Sequence, residues 1–251
     1  MKLIREILYK VDINRVFGNT SLSIEKVEFD SRLVTSSDMY VAINGVNVNG
    51  HDYISQAIEN GANCIICEEM PEDKVDEIVY VNVPCSREAL AMICSNYFDN
   101  PSSKLNLIGV TGTNGKTTIT TLLFELYKNL GIKSGLISTV KIVINKDEYE
   151  ANQTTPDSLS INRYLNEMVL KNVRYCFMEV SSHGIDQNRI KGLDFKGGIY
   201  TNLTHDHLDY HKTFESYRDV KKTFFDHLGK YSFALTNTDA HIGVFLLLIR
   251  A

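Results

Sequence analysis

The sequence has no stretch rich in lysine and arginine, and its acidic residues outnumber its basic ones. It contains 26 Lys and Arg against 31 Asp and Glu, for a formal net charge of -5 at pH 7. Proteins that bind DNA or RNA need clustered positive charge to neutralise phosphates. The charge pattern therefore predicts that nucleic acid is not a partner.

Long apolar segments are missing as well. The first residues, MKLIREILYK, include basic side chains but neither the apolar core nor the small-residue cleavage site of a signal peptide. The apolar run at 244–249 is too short to cross a bilayer. The sequence therefore predicts a cytoplasmic protein without a membrane partner, and we expect it to be monomeric.

Cysteine is scarce and shows no disulfide framework. The five cysteines are an odd number scattered over strand-like and helix-like stretches, which suits a reducing compartment. Cys64 and Cys67 form a CxxC pair inside the apolar run ANCIIC. Packing within a strand or core is the favoured interpretation of this pair, and redox or metal chemistry is the alternative.

The chain itself has the profile of a globular α/β protein. Its 251 residues, 43 % apolar and 23 % charged, can bury a core and form two domains. The turn-forming cluster at 100–103 predicts a boundary between a first domain, 1–102, and a second, 103–251. Strands that alternate with helices in the second domain predict a doubly wound parallel sheet.

Apolar periodicity and turn residues locate the elements of both domains. The predicted strands are 26–29, 39–43, 64–67, 78–83, 106–110, 175–180, 198–201 and 231–239, and the predicted helices are 54–60, 87–98, 116–130, 158–170 and 214–228. The first domain is therefore expected to be a small α/β unit.

The loop GVTGTNGKTT (109–118) joins a predicted strand to a predicted helix, so its backbone N–H groups can surround phosphate oxygens. Lys116 would bring a positive charge to the β- and γ-phosphates of ATP, and Thr117 would place its hydroxyl on Mg²⁺. The strict P-loop spacing asks for glycine where this chain has Val110, so the pattern is met approximately. The predicted ATP-binding residues are Gly112, Thr113, Asn114, Gly115, Lys116, Thr117 and Thr118.

Two further places carry polar groups at the ends of predicted elements. Glu179 ends an apolar strand of the same sheet, where a carboxylate can hold the Mg²⁺ that bridges ATP phosphates; a surface acid is the alternative. The turn TTPD (154–157) leads into a helix, where hydroxyl and N–H groups can hold a carboxylate or phosphate. An ordinary helix cap is the alternative there.

His205, His207 and His211 raise the hypothesis of a zinc site in a metal-dependent hydrolase. In the metallo-hydrolase motif the third histidine directly follows the aspartate, whereas here Tyr210 intervenes. A zinc hydrolase would also leave the GTNGKTT loop without a function. The hydrolase is therefore the less favoured alternative.

Several motifs resemble those of Mur ligases, in that family's order. TGTNGKTT (111–118) is similar to the loop of Mur ligases and of the related folylpolyglutamate synthetases. EVSSHG (179–184) with Gln187 and Arg189, and TNLTHDHLDYH (201–211), resemble segments of the UDP-MurNAc-tripeptide synthetase (MurE) branch. DSR (30–32), VA (41–42) and GHD (50–52) resemble the pattern that contacts the uridine nucleotide. The resemblance covers nearly the whole chain up to about residue 239.

The resemblance implies an ATP- and Mg²⁺-dependent ligase of peptidoglycan synthesis. Such an enzyme adds meso-diaminopimelate or L-lysine to UDP-MurNAc-L-Ala-D-Glu through an acyl phosphate. The first domain would bind the UDP-precursor and the second would bind ATP.

The residues implied by the resemblance fall into three groups. The catalytic residues are Lys116, Glu179, His207 and Lys221. The metal ligands are Thr117, Glu179, His207 and Lys221, the last as N6-carboxylysine. Lys222 is the alternative to Lys221 if the alignment shifts by one residue. The other interpretation of Lys221 is an ordinary surface lysine. The substrate-binding residues are Phe29, Ser31, Val46, Asn47, Val48, Gln153, Thr154, Thr155, Ser181, Gln187 and Arg189.

Mur ligases also have a third, C-terminal domain, which binds the incoming amino acid and completes the ATP site. We expect the present sequence to lack this part, because its ending after about residue 239 does not resemble the family. We therefore expect a truncated central domain with exposed sheet edges and apolar surface. A non-catalytic remnant that only binds nucleotide or UDP-precursor is the second hypothesis.

Overall fold

A computed structural model describes residues 1–45, 48–204 and 208–237 of the chain. The chain divides into two compact units, Met1–Asp99 and Asn100–Ala251. The division falls at the start of the turn-forming cluster, where Asn100 adopts a left-handed φ of 51° and a 3-10 helix follows at Pro101–Lys104. No helix in the described part of the chain combines the length and apolar character needed to cross a membrane.

The first unit is a small α/β layer. In chain order its elements are β1 (Lys2–Leu3), α1 (Ile4–Ile7), β2 (Arg15–Phe17), β3 (Ser23–Ile24), β4 (Val27–Glu28), β5 (Asp38–Val41), α2 (Ile54–Glu59), β6 (Ala62–Cys67), β7 (Val79–Asn82) and α3 (Ser86–Tyr97), with 3-10 helices at Ser31–Leu33 and Gly50–Tyr53. The strand order is β2-β7-β6-β5-β4, with β2 antiparallel and the others parallel, and β1 pairs with β3 separately.

The CxxC pair lies in the central strand β6, where both cysteine side chains are fully buried. Residues three apart on a strand point to opposite faces, so the two thiols do not meet. Burial raises the pKa of Cys67 to about 11 and raises that of Cys64 as well. Thiols that stay protonated are poor nucleophiles and metal ligands, which agrees with the packing interpretation.

The second unit contains the larger sheet. Its elements are β8 (Asn106–Thr111), α4 (Lys116–Asn129), β9 (Ser134–Ile137), β10 (Lys141–Ile144), β11 (Asp147–Glu150), α5 (Ser158–Leu170), β12 (Tyr175–Glu179), α6 (Ser182–Asp186), β13 (Phe195–Tyr200), α7 (Leu208–His211), α8 (Phe214–Asp226) and β14 (Phe233–Thr236). The strand order is β11-β10-β9-β12-β8-β13-β14.

Helices cover this sheet on both faces, as the doubly wound prediction requires. Neighbouring residues of β8 point to opposite sides. Leu107 packs in one core with residues of α5 and α8, whereas Ile108 packs in another with Phe124 of α4. The strands from β9 to β14 in the sheet order are parallel, so the prediction of a parallel sheet is confirmed for its centre.

One part of the sheet differs from the prediction. β10 and β11 form an antiparallel hairpin that extends the sheet beyond β9. Every residue of β11 is exposed, and its sequence, DEYE, has no apolar alternation. Because the strand buries no face, it leaves no hydrophobic pattern for sequence analysis to detect.

Candidate active site

The loop 112–115, here called the phosphate loop, joins β8 to the first turn of α4. Gly112 has a φ of 146° and Gly115, the residue before the helix, a φ of 84°. L side chains rarely adopt such values. No side-chain cap is found at the start of α4. The first N–H groups of a helix have no intrahelical partners, and they carry its positive dipole end. This combination can bind an anion.

Lys116 begins α4 and folds back over the phosphate loop. Its Nζ donates hydrogen bonds to the carbonyl oxygens of Gly112 at 2.9 Å and Thr113 at 2.8 Å. The ammonium is therefore held at the loop, where a phosphate could replace these carbonyls as its acceptor.

A second segment, 201–204, holds the phosphate loop from the end of β13; it is called the holding segment below. The N–H of Thr113 donates to the Asn202 carbonyl at 2.9 Å, and the N–H of Asn114 donates to Asn202 Oδ1 at 2.9 Å. Two N–H groups predicted to surround phosphate are thus engaged within the protein. The positive dipole end of α4 lies directly after this loop and can attract an anion.

Glu179 ends β12, directly beside β8, and pairs in register with Val110. Its side chain is fully buried, so the alternative of a surface acid is wrong. Oε1 accepts the N–H of Thr139 at 2.8 Å, and Oε2 accepts the Thr139 hydroxyl at 3.0 Å. The carboxyl ends of adjacent parallel strands meet at one edge of the sheet, which brings this carboxylate to the edge that carries the phosphate loop.

Lys221 lies on α8, and only 1 % of the residue is exposed. Its Nζ donates to the carbonyl oxygen of Gly112 at 3.1 Å and lies 4.6 Å from the ring centroid of Tyr217. Lys222 instead pairs with Asp226 one turn along the same helix at 2.6 Å. Lys221, not Lys222, therefore contacts the phosphate loop, and the interpretation of Lys221 as a surface lysine is wrong.

The turn before α5 contacts the start of α6. Thr155 donates its hydroxyl to the Glu179 carbonyl at 2.9 Å and accepts the N–H of Ser181 at 2.9 Å. The Thr154 hydroxyl lies 3.1 Å from the Thr139 hydroxyl and donates to it, because the hydrogen of Thr139 is directed to Glu179. Asp157 caps α5 by accepting the N–H of Ser160, so the helix-cap alternative holds for this one residue of the turn.

Arg189 gathers the remaining residues of the predicted substrate group in the second unit. Its Nη1 donates to Gln153 Oε1 and to the Thr155 carbonyl, each at 2.6 Å. Its Nε and Nη2 donate to Gln187 Oε1 at 3.1 and 2.7 Å. The structure therefore brings Gln153, Thr155, Gln187 and Arg189 into one hydrogen-bond network, which Thr155 connects to Ser181 and Glu179.

The predicted residues of the first unit are engaged within that unit or exposed. Ser31 is buried and donates its hydroxyl to Gln56 Oε1 at 2.7 Å. Phe29 is half-buried, and Val48 is 56 % exposed. Val46 and Asn47 lie outside the described residues.

His51 holds the ends of two loops in the first unit. Its Nε2 accepts the N–H of Glu68 at 2.9 Å, so this nitrogen carries no proton. Nδ1 then carries the proton and donates to Asn49 Oδ1 at 2.9 Å. The histidine of the GHD motif therefore has a structural role here.

The histidine cluster is described only in part. His205 and His207 lie outside the described residues. His211 ends α7, is 5 % exposed, and packs with its ring centroid 5.2 Å from that of Tyr217. Among the residues that the structure describes, no group of three His, Cys, Asp or Glu side chains is arranged to hold a metal ion.

Comparison with known families follows the same division of the chain. Residues 110–249 match the model of the Mur ligase middle domain, and residues 23–98 match that of the Mur ligase family, catalytic domain. The chain belongs to the Mur ligase family. The match runs to residue 249, so the limit of about residue 239 drawn for the resemblance is wrong.

Individual Mur ligases are similar over nearly all of this chain. A UDP-N-acetylmuramoyl-L-alanyl-D-glutamate–2,6-diaminopimelate ligase from Cytophaga hutchinsonii is 49 % identical over 237 residues, which cover 94 % of this chain and 49 % of the relative. A solved structure of a ligase with the same name has a TM-score of 0.81 at 25 % identity and covers 98 % of this chain and 49 % of its own. The chain thus spans about half the length of the curated relatives it matches.

More distant Mur ligases share the fold. The MurF ligase from Thermotoga maritima, solved in complex with ADP, has a TM-score of 0.60 at 23 % identity. It covers 90 % of this chain and 48 % of its own. The prediction of a Mur ligase fold is therefore confirmed.

Two residues of the site are absent from the sequence prediction. Thr139 follows β9, whose neighbour in the sheet is β12, and Asn202 follows β13, whose neighbour is β8. Both follow the carboxyl ends of parallel strands, where sites of open α/β sheets form. That rule applied to every predicted strand would have selected Asn202, but not Thr139, because β9 was not predicted.

Proposed function

We propose that this chain is the nucleotide- and precursor-binding part of an ATP-dependent ligase that adds 2,6-diaminopimelate to UDP-MurNAc-L-Ala-D-Glu. One observation carries the proposal: Lys116 and Lys221 both contact the Gly112 carbonyl of the phosphate loop, while the buried Glu179 lies on the neighbouring strand. The cation of Lys116 and the carboxylate of Glu179, at one sheet edge, suit the transfer of a phosphoryl group. Diaminopimelate is favoured over L-lysine because the similar ligases reported above carry it in their names.

In the proposed reaction an oxygen of the substrate carboxylate attacks the γ-phosphorus of ATP, and ADP leaves. The amine of the incoming amino acid then attacks the acyl carbon, and inorganic phosphate leaves. Lys116 and the N–H groups at the start of α4 would neutralise the oxygens of the moving phosphoryl group. Gly112, Thr113, Asn114 and Gly115 would give the loop its shape around the nucleotide.

The donors at this edge fit Mg²⁺, which prefers oxygen ligands. The Glu179 carboxylate accepts two hydrogen bonds from Thr139 and has further lone pairs, and the half-buried Thr117 offers a hydroxyl in the first turn of α4. Bound Mg²⁺ would supply positive charge to the phosphate oxygens. Our proposal keeps His207 and Lys221 as further ligands.

Carbamylation of Lys221 is part of the proposal. Its unmodified ammonium is buried between the Gly112 carbonyl and the face of Tyr217, an arrangement that stabilises a cation. A carbamate would replace that cation with carboxylate-like oxygens, so it would need a positive partner beside it. We therefore expect the modification to be favoured by bound Mg²⁺, and intact-protein mass spectrometry with and without bicarbonate and Mg²⁺ would detect the added CO₂.

Each unit would contribute residues that bind a different part of the precursor. Arg189 and its network, with Thr154 and Ser181, would hold the muramoyl-peptide end. Phe29, Ser31, Val46, Asn47 and Val48 would hold the UDP end. The proposed location is the cytoplasm, which holds ATP and UDP-linked precursors. The proposed oligomeric state at low concentration is a monomer, which light scattering of the purified chain tests.

Calorimetric titration of the 251-residue chain with ADP and Mg²⁺ tests the nucleotide site. We expect saturable binding that Lys116→Ala weakens by about tenfold or more, because charge-assisted hydrogen bonds to phosphate are lost. Lys146→Ala, an exposed lysine in the turn of the β10–β11 hairpin, is the matched control and should bind as the native chain does. A native chain that does not bind ADP would refute the proposal.

A second titration distinguishes the ligase from a chain that only binds. UDP-MurNAc-L-Ala-D-Glu should bind the native chain and the Lys116→Ala variant equally, because the precursor residues lie elsewhere. Continuous ADP release from ATP should then require both this precursor and diaminopimelate, because the amine must consume the acyl phosphate before another turnover. L-Lysine should not substitute. Binding of both ligands without ADP release would favour the binding-only hypothesis.

A further inference from the structure

We propose that Asn202 is a positioning residue of the nucleotide site, which holds the phosphate loop in its binding shape before nucleotide arrives. The inference rests on the proposed ATP-binding function. Asn202 lies in the holding segment, none of whose side chains has a role in the proposed reaction.

The side chain of Asn202 forms a two-point contact with a single residue of the phosphate loop. Its Oδ1 accepts the N–H of Asn114 at 2.9 Å, and its Nδ2 donates to the carbonyl oxygen of Asn114 at 3.2 Å. The amide of Asn202 therefore matches both polar groups of one backbone residue. Such a contact fixes the orientation of the two peptide groups on either side of Asn114.

The neighbours of Asn202 complete the contact. Thr201 donates its hydroxyl to the same Asn114 carbonyl at 2.6 Å. The backbone carbonyl of Asn202 accepts the N–H of Thr113, and the N–H of Thr204 donates to the Thr113 hydroxyl at 3.0 Å. Both peptide N–H groups at the centre of the phosphate loop thus face partners in the holding segment.

The two segments also pack too closely for any side chain between them. A Cβ at Gly112 would lie 1.9 Å from Thr201 Oγ1 and 2.9 Å from the Asn202 carbonyl oxygen. Glycine at this position is therefore required by the holding segment as well as by its φ of 146°.

This arrangement determines what the loop can offer a nucleotide. Peptide groups that are already bonded cannot rotate to follow a ligand, so the loop loses little conformational freedom when phosphate binds. The main rearrangement on binding is then at Lys116, because its Nζ must leave the carbonyl oxygens of Gly112 and Thr113 and donate to phosphate oxygens instead. Asn202 would thus favour binding without touching the nucleotide.

Amide hydrogen exchange of the nucleotide-free chain, followed by NMR, tests the contact directly. In Asn202→Ala the Asn114 amide should exchange about tenfold faster, because its acceptor is removed. The Thr113 amide, which bonds to a backbone carbonyl, and the Ile108 amide in β8 should keep their native rates. In Asn202→Asp the acceptor oxygen remains but the donor to the Asn114 carbonyl is lost, so the Asn114 amide should exchange faster than in the native chain and more slowly than in Asn202→Ala.

Equal Asn114 exchange in the native chain and Asn202→Ala would overturn the proposal. So would equal acceleration of the Ile108 amide, because that result indicates general loosening of the fold rather than loss of one contact.

ADP titration supplies the functional half of the test. Asn202→Ala should bind ADP roughly tenfold more weakly than the native chain, as expected for the loss of two neutral hydrogen bonds. Asn129→Ala, an exposed asparagine at the far end of α4, should bind normally. Unchanged ADP affinity in Asn202→Ala would overturn the positioning role. Absence of ADP binding by the native chain would instead refute the proposed function, while the exchange rates would still decide whether Asn202 holds the loop.

Discussion

At the scale of single residues, the candidate site depends on side chains that hold other side chains. Glu179 is the clearest case, because a fully buried carboxylate is costly unless it is hydrogen-bonded. Thr139 supplies donors to both of its oxygens, one from the backbone and one from the hydroxyl. The hydroxyl bond is the part that a substitution can remove.

We predict that Thr139→Val lowers the free energy of unfolding by about 1–2 kcal/mol, because one donor to a buried carboxylate is lost. Urea denaturation measures this change. Thr139→Ser keeps the hydroxyl and should lose much less. Equal losses in the two variants would show that packing of the methyl group, not the hydrogen bond to Glu179, is responsible.

At the scale of elements, helix ends and buried strands determine how firmly the site residues are held. Asp157 accepts the N–H of Ser160 at the start of α5, two residues after Thr155, which contacts Glu179 and Ser181. The cap therefore stabilises the helix and the turn that precedes it.

Replacing this cap gives a prediction about α5. Asp157→Ala should lower the free energy of unfolding by about 1 kcal/mol, because an N–H group of the first turn loses its acceptor. Asp157→Asn keeps an acceptor oxygen and should stay within a few tenths of a kcal/mol of the native value. Thermal denaturation compares the native chain with the two variants. A loss of stability in Asp157→Asn as large as that in Asp157→Ala would argue against a capping role for Asp157.

The buried strand β6 gives a prediction about pH. Burial raises the pKa of Cys67 from 9.0 to about 11, so the folded chain keeps a proton that the unfolded chain has already released. Stability is therefore full below about pH 9 and falls as the pH rises through about 11. Urea denaturation between pH 9 and 11 should show a decline in the free energy of unfolding that is smaller in Cys67→Ala than in the native chain. An identical decline in that variant would show that Cys67 is not its source.

At the scale of the whole molecule, the second unit presents a sheet edge. β14 is the outermost strand on its side of the described sheet, and Phe233 and Leu235 are 49 % and 56 % exposed. Unpaired strand edges with apolar side chains associate with other chains. The ring of Phe233 covers Gly197, whereas Leu235 has no comparable role in the described contacts.

We predict that the native chain self-associates with rising concentration and that Leu235→Lys reduces this association at least several-fold, because charge on an edge strand opposes pairing. Light scattering measures the effect. Leu170→Lys, at an exposed leucine at the end of α5, is the matched control. An equal reduction in the control would attribute the association to general apolar surface.

The sequence by itself determined most of the longer apolar elements and the motifs whose residues are close together along the chain, whereas the buried four-residue strands β9 and β10 were not predicted. α5 was predicted with its observed bounds, Ser158–Leu170, because apolar periodicity and a capping residue define a helix locally. The phosphate loop and Glu179 were also selected from the sequence pattern, and Lys221 was selected through the family resemblance. The exposed strand β11 was missed because no buried face marks it.

Only the tertiary structure decided which of these residues meet. Lys221 lies 109 positions from Gly112, Thr139 lies 40 positions from Glu179, and Asn202 lies 88 positions from Asn114. Their contacts arise because β9, β12, β8 and β13 are adjacent in the sheet although they are not consecutive in the chain. The local sequence pattern does not specify the order of the strands in the sheet. That order brings the carboxyl ends of these strands, and the side chains that follow them, to one edge of the sheet.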